Sequence, residues 1–165
     1  MALQSKITVY VALIGVFSMM GGIVYYASLD NVHLEQVNVQ LTKVELIDVN
    51  EIDNQAKFNV EFLVENPSDK TFTVSLIEYQ LYGDEKLLGS GSYDTSDISM
   101  PGRAAFYPNT EIPLKNTFVL SMSEISSEIY QDAIKNKIDR FSAEGIITTE
   151  SSWSLIEKEF RSDLN

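Results

Sequence analysis

From Ile7 to Ala27 the chain carries no charged side chain, and this run restricts what the remainder can be. Apart from Thr8 and Ser18 it consists of apolar residues, Gly and Tyr. As a helix rising about 1.5 Å per residue it would reach about 30 Å, the thickness of a bilayer core. The run therefore predicts a transmembrane helix over residues 7–27. Tyr10 near one end and Tyr25–Tyr26 at the other suit the two interfaces, where aromatic rings sit among head groups. A cleaved signal peptide is the alternative, but its apolar core usually spans only roughly 7 to 15 residues. Cleavage after Ala27 would also put bulky Tyr25 where a small residue is wanted. The expectation is an uncleaved, single-pass signal-anchor in the cell membrane. Lys6 precedes the span, whereas Asp30 and Glu35 follow it. By the positive-inside rule, residues 1–6 stay in the cytoplasm and the main domain lies on the extracytoplasmic side.

Within the span, Gly15, Ser18 and Gly22 fall at i, i+3 and i+7 and line one helix face with small residues. Small faces let helices approach closely in lipid, so this face could contact another membrane subunit. Ordinary glycine usage in a membrane helix explains the same residues. After the span, Ser28–Gln36 reads as a polar connector in which His33 is solvated.

The rest of the chain suffices for one domain of roughly 135 residues, which can bury about two-thirds of its unfolded surface without staples. The protein has no cysteine, so disulfides, thiolate metal sites and cysteine nucleophiles are excluded, and its single histidine cannot build a histidine metal cage. Net charge is −12, and all 24 acidic residues lie after the span with all but one of the 12 basic ones. Such a surface repels phosphates and argues against nucleic acid and anionic lipid heads as partners. Solubility explains the charge, with a cationic partner or loosely held divalent ions as the other reading.

Alternation of period two defines the strands. Phe58, Val60, Phe62 and Val64 alternate with polar residues over Ala56–Ser68 until Asn66–Pro67 stops the strand, because proline has no N–H for a ladder. Before it, Val37–Val49 changes phase, which a bulge near Thr42–Lys43 would reconcile. After it come Phe72–Tyr82, with a parity change around Ile77, and Lys86–Tyr93, joined by a hairpin at Gly83–Asp84–Glu85. Leu87, Gly89, Gly91 and Tyr93 are expected on one face. Ile112–Leu120, Phe141–Thr149 and Ser152–Phe160 complete seven strands. A helix is expected after the fifth, opened by a capping box of Ser121 and Glu124 and carrying Ile125, Ile129, Tyr130, Ala133, Ile134 and Ile138 on one face. Residues 161–165 are expected to fray. Seven strands with one lone helix predict an antiparallel β-sandwich, immunoglobulin- or fibronectin III-like, over residues 37–160.

Chemical motifs are weak by comparison. The acidic segment Asp48–Asn54 lacks the glycine and glutamate spacing of a calcium loop. Gly89–Ser90–Gly91–Ser92 follows a strand but leads into more strand, without the helix N-terminus that cradles phosphate, and reads as a bulge or a close backbone approach. Asp94–Asn109 is a long loop in which Arg103, Phe106 and Tyr107 could form a binding tip or pack against the sandwich edge. No nucleophile elbow, zinc-binding helix or nucleotide loop is present. The expectation is a protein that is not an enzyme and holds no cofactor.

In order, Phe62–Leu63–Val64–Glu65–Asn66–Pro67, Tyr79–Gln80–Leu81–Tyr82, Leu88–Gly89–Ser90–Gly91, Ile112–Pro113–Leu114, the following helix and Phe141–Ser142–Ala143–Glu144–Gly145 resemble the WHy domain. This is the domain of the atypical, hydrophobic (type 2) late embryogenesis abundant proteins. The resemblance covers Val37–Phe160 and implies a β-sandwich with no catalytic residues, in which Asn66, Pro67, Gly89 and Gly91 are structural. Ser68 departs from it, since many plant members carry an aromatic residue there. The span departs from the soluble members and is similar to anchored relatives, so protection in the cytosol is not implied. The expected function is to bind or protect macromolecules at the extracytoplasmic membrane face, with a stress role implied by the family. The alternative is a structural or accessory subunit of a larger membrane complex. The expected partners are the lipid bilayer, through residues 7–27, and other membrane or extracytoplasmic proteins.

Overall fold

The structure, a computed structural model, describes residues 2–94 and 105–164. The uncharged run and the residues after it form a single helix, α1 (Ala2–Leu34), because no Gly or Pro follows Gly22 to break it. Between Lys6 and Leu34 it is long and apolar enough to cross a membrane, judged by length and composition. The expected connector is thus mostly helical, and α1 stops where the Leu34 side chain enters the domain core.

Among the described residues eight strands follow: β1 (Asn38–Asn50), β2 (Gln55–Asn66), β3 (Phe72–Gly83), β4 (Lys86–Asp94), β5 (Ala105–Phe106), β6 (Thr110–Ser121), β7 (Phe141–Glu150) and β8 (Leu155–Asp163), with helix α2 (Ser127–Ile134) between β6 and β7. They form two antiparallel sheets, ordered β1-β2-β6 and β4-β3-β7-β8, with β5 paired to the start of β3. The domain is therefore mainly β. The expectation of seven strands is corrected by β5, whose two residues are too few for alternation to reveal.

The inner faces of both sheets meet in one core. Phe62 on β2 presents its ring to Tyr79 on β3, centroids 4.9 Å apart, and to Phe160 on β8 at 5.7 Å, both edge-on as aromatic quadrupoles prefer. Side-chain hydrogen bonds cross the two seams between the sheets. At one, Ser162 Oγ accepts the Leu41 N–H at 2.9 Å. At the other, Asn116 Nδ2 donates to the Ser92 carbonyl at 2.6 Å and to Tyr79 Oη at 3.2 Å.

The β1 bulge falls between Leu41 and Lys43, where the sequence places it. The β3 parity change comes from Ser75, the extra residue between Val74 and Leu76 opposite β7. The hairpin between β3 and β4 turns on Asp84 (φ 48°) and Glu85 (φ 67°), one residue later than Gly83 implies. Positive φ at both central residues is the type I′ geometry that matches strand twist. A bulge at Leu88 then buries that side chain and leaves Leu87 exposed, which corrects the expected face.

Helix α2 is capped by Ser126, whose Oγ accepts from Ile129 N, so Ser121 and Glu124 form no capping box. Ser121 is the last residue of β6 and folds a turn instead. Tyr130 and Ala133 are buried and Ile129 and Ile134 pack against the core from the helix, as the spacing implies, whereas Ile125 and Ile138 reach the core from outside its eight residues, which corrects the expected longer face. The last strand starts at Leu155 rather than Ser152 and continues to Asp163. Residues 161–163 therefore pair with β7 where fraying was expected.

Candidate functional site

The end of the domain that faces α1 gathers the start of β1, the β2–β3 loop, Tyr107–Asn109 and the β7–β8 turn. Asn66 organises it. Its side chain is fully buried, and Nδ2 donates to the carbonyls of Lys70 at 2.7 Å, Phe106 at 2.9 Å and Tyr107 at 3.1 Å. Oδ1 accepts from Ser68 N at 3.0 Å and Ser68 Oγ at 2.7 Å. Asn66 therefore closes the β2–β3 loop and ties it to β5. Pro67 is exposed beside it and ends the ladder. Ser68, where the sequence departs from the resemblance, is buried inside this network, and its Oγ accepts from Lys70 N at 3.3 Å.

The two aromatics of the long loop differ in burial. Phe106 is buried and stacks on Phe72 with centroids 5.4 Å apart, so packing describes it. Tyr107 is 63% exposed. Arg103 lies outside the described residues. Gly89 has φ +154°, and a Cβ there would approach the Phe118 ring at 3.1 Å. Beside it, a Cβ on Gly91 would meet the Tyr79 ring at 2.5 Å, so both glycines serve the close approach of β4 to the core. Gly15, Ser18 and Gly22 lie on exposed helix, and among the described residues no atom other than chain neighbours and the helix's own backbone stands within 4 Å of a Cβ built at either glycine.

The junction between α1 and the domain is held from three sides. His33 Nδ1 lies 3.1 Å from Asp69 Oδ1 in the β2–β3 loop, a partner that its place in a polar stretch did not reveal. Ser154 Oγ donates to the Ala27 carbonyl at 3.2 Å, and Lys158 Nζ to the Val37 carbonyl at 2.6 Å. Leu34 and Val37 are both core residues.

One broad concavity was not legible in the sequence. It is a trough of about 870 Å³ crossing the outer face of the second sheet, where Ser92, Glu78, Ile146 and Glu159 form one row and Ser90, Gln80, Glu144 and Arg161 the next. Beside it, Tyr82 Oη donates to Gln80 Oε1 at 2.7 Å and Glu144 Oε1 at 2.5 Å, while Arg161 Nη1 stands 3.6 Å from Glu144 Oε2. The hydrogen bond to Glu144 raises the Tyr82 pKa, aided by desolvation and the charge of the same carboxylate and opposed by Arg161. Tyr82 is thereby kept protonated as a donor. The trough can offer hydrogen bonds and negative charge to a polar surface. Among the described residues no group of three or more His, Asp or Glu is placed to hold a metal ion.

No protein-family model matches the chain, and comparison with curated proteins gave no match. Solved structures do match. An Arabidopsis thaliana protein determined in solution aligns with TM-score 0.51 and 15% identity over 77% of this chain and 80% of its own. An Archaeoglobus fulgidus crystal structure aligns at 0.46 with 17% identity, over 75% and 94%. A solution structure of a protein assigned provisionally to the late embryogenesis abundant group aligns at 0.43 with 10% identity, over 90% and 82%. The first score marks a shared two-sheet fold, and at 15% identity the likeness extends to the fold alone.

Proposed function

We propose that this chain is a membrane-anchored, non-enzymatic WHy-like sandwich of the late embryogenesis abundant type 2 kind, which binds or shields macromolecules at the extracytoplasmic face of the cell membrane. The observation that carries the reading is the continuity of α1 with the domain: a helix long and apolar enough to cross a bilayer ends with its own Leu34 in the core. The ordered motifs from Phe62 to Gly145 support the family, and Lys6 ahead of the span supports the orientation. The trough on the second sheet supplies the binding face, and its carboxylates favour polar or basic protein surfaces over nucleic acid. A role during water stress follows from the family reading. The test is aggregation of a client enzyme during drying, with the full chain in lipid nanodiscs compared with empty nanodiscs. Equal client loss in both would sink the reading.

The open face of Gly15 and Gly22 favours a second reading, an accessory subunit of a larger membrane complex. Crosslinking in intact membranes separates the two. A fixed neighbour at stoichiometric yield supports the subunit, and many substoichiometric neighbours support the shielding protein.

A further inference from the structure

The β7–β8 hairpin reaches back along α1 toward the proposed bilayer. Lys158 on β8 is level with Val37, where its Nζ meets the carbonyl. Five residues earlier in β8's approach, about 16 Å in extended chain, stands Trp153. Its side chain is 68% exposed. Together with Met19, Gly22, Ile23, Tyr26 and Ala27 it lines a shallow groove of about 290 Å³ against α1. These five helix residues are the last turns of the uncharged run. If that run spans the membrane, a side chain beside Gly22–Ala27 is at the level of the outer head groups and upper acyl chains.

We infer that Trp153 is a second membrane contact, inserted at the boundary between head groups and acyl chains of the outer leaflet, so that the domain rests on phospholipid as well as being tethered to it. The chemistry fits. An indole has an apolar body and one N–H donor, which is why tryptophan collects at membrane interfaces. Ser151, Ser152 and Ser154 flank it with small polar groups that tolerate a hydrated surface. Ser154 holds the turn to the helix through the Ala27 carbonyl, which fixes the depth of the indole. Tyr25 and Tyr26 are exposed on α1 at the same level and complete an aromatic belt around this end. Asp69 and Glu150 lie at the same end, so contact is expected with zwitterionic lipid and without dependence on ionic strength.

The inference rests on the anchor reading, and the experiment separates them. Trp153 is the chain's only tryptophan, so the native full chain reports on this site by its own fluorescence. In phosphatidylcholine vesicles its emission should be blue-shifted from that of hydrated indole. It should be quenched more by lipids carrying a nitroxide near the head group than by lipids labelled at mid-chain, and be shielded from acrylamide. Carbonate washing of the same vesicles tests the anchor alone. Retained chain with hydrated, acrylamide-quenched emission, or with quenching strongest from mid-chain labels, overturns the insertion and leaves the anchor standing. Chain released by carbonate overturns the anchor, and the insertion with it. A Trp153→Phe, Ile52→Trp chain moves the reporter to the β1–β2 turn at the far end, where Ile52 is 90% exposed, and its emission should be that of hydrated indole. Blue-shifted emission there with lipid quenching overturns the orientation on which the insertion depends.

Discussion

The side-chain amide of Asn66 holds the carbonyl of Phe106, forty residues further on, at 2.9 Å inside the protein. A single residue at the end of β2 thereby fixes β5 and the loop before β3. Asn66→Ala would leave three carbonyls and the Ser68 amide short of partners in a buried place. A loss of about 3 kcal/mol is expected from that many unsatisfied groups. Urea unfolding monitored by circular dichroism measures it. Asn66→Asp should be worse at neutral pH, where a carboxylate would face carbonyl oxygens, and should partly recover in acid as the carboxyl protonates.

Gly145 admits no substitute. A Cβ there would stand 2.0 Å from the Glu78 carbonyl oxygen and 2.7 Å from Tyr79 Cα, both backbone atoms of the neighbouring strand. Gly145→Ala should therefore push β7 from β3 and cost about 3 kcal/mol, at the upper end for overpacking. Gly15→Ala, with open space around it, should leave the domain's urea midpoint unchanged.

Burial raises the Tyr79 pKa well above the ordinary phenol value of 10, a shift that the Asn116 hydrogen bond only partly offsets. The folded protein therefore holds this proton more tightly than the unfolded chain. Its contribution to stability is complete below about pH 10 and is lost as pH rises beyond it. Stability measured from pH 8 to 12 should fall more steeply for the native chain than for Tyr79→Phe, which removes the ionising group.

Leu34 belongs to the helix by sequence and to the domain by packing, being 1% exposed. Leu34→Ala should cost about 2–5 kcal/mol, the range for a buried leucine. It should also open the chain between Glu35 and Val37 to protease in nanodiscs. Destabilisation without new cleavage would show that Leu34 only fills space and does not hold the junction.

Most strands could be located from alternation, because the core takes every second side chain of β2 and β6 and the pattern survives single bulges. What could not be read depended on tertiary partners. The helix was expected to end at Ala27 because Ser28–Gln36 is polar, yet Leu34 is buried by strands that the local sequence does not mention. Ser121 and Ser126 both head sequences fit to cap a helix, and the choice falls to Ser126 because Ser121 is still paired in β6 opposite Gln55. Of the candidate residues, Asn66 and Pro67 carried a signal in the Asn–Pro stop itself. The trough carried none, since Glu78, Glu144, Glu159 and Arg161 are brought into adjacent rows only by strand register.

The short link between α1 and β1, three residues from Glu35 to Val37, also governs how the domain meets other molecules. A domain on a loose tether sweeps a hemisphere and presents every face in turn. This one, with Leu34 in its core and His33, Ser154 and Lys158 fastening the junction, moves as a stiff mast whose tilt is the tilt of the helix. Were α1 to span a membrane as proposed, the domain could turn about the membrane normal but not lean far or roll over. On that reading the trough would sweep a ring at one height above the bilayer, and a client would be met sideways at that height.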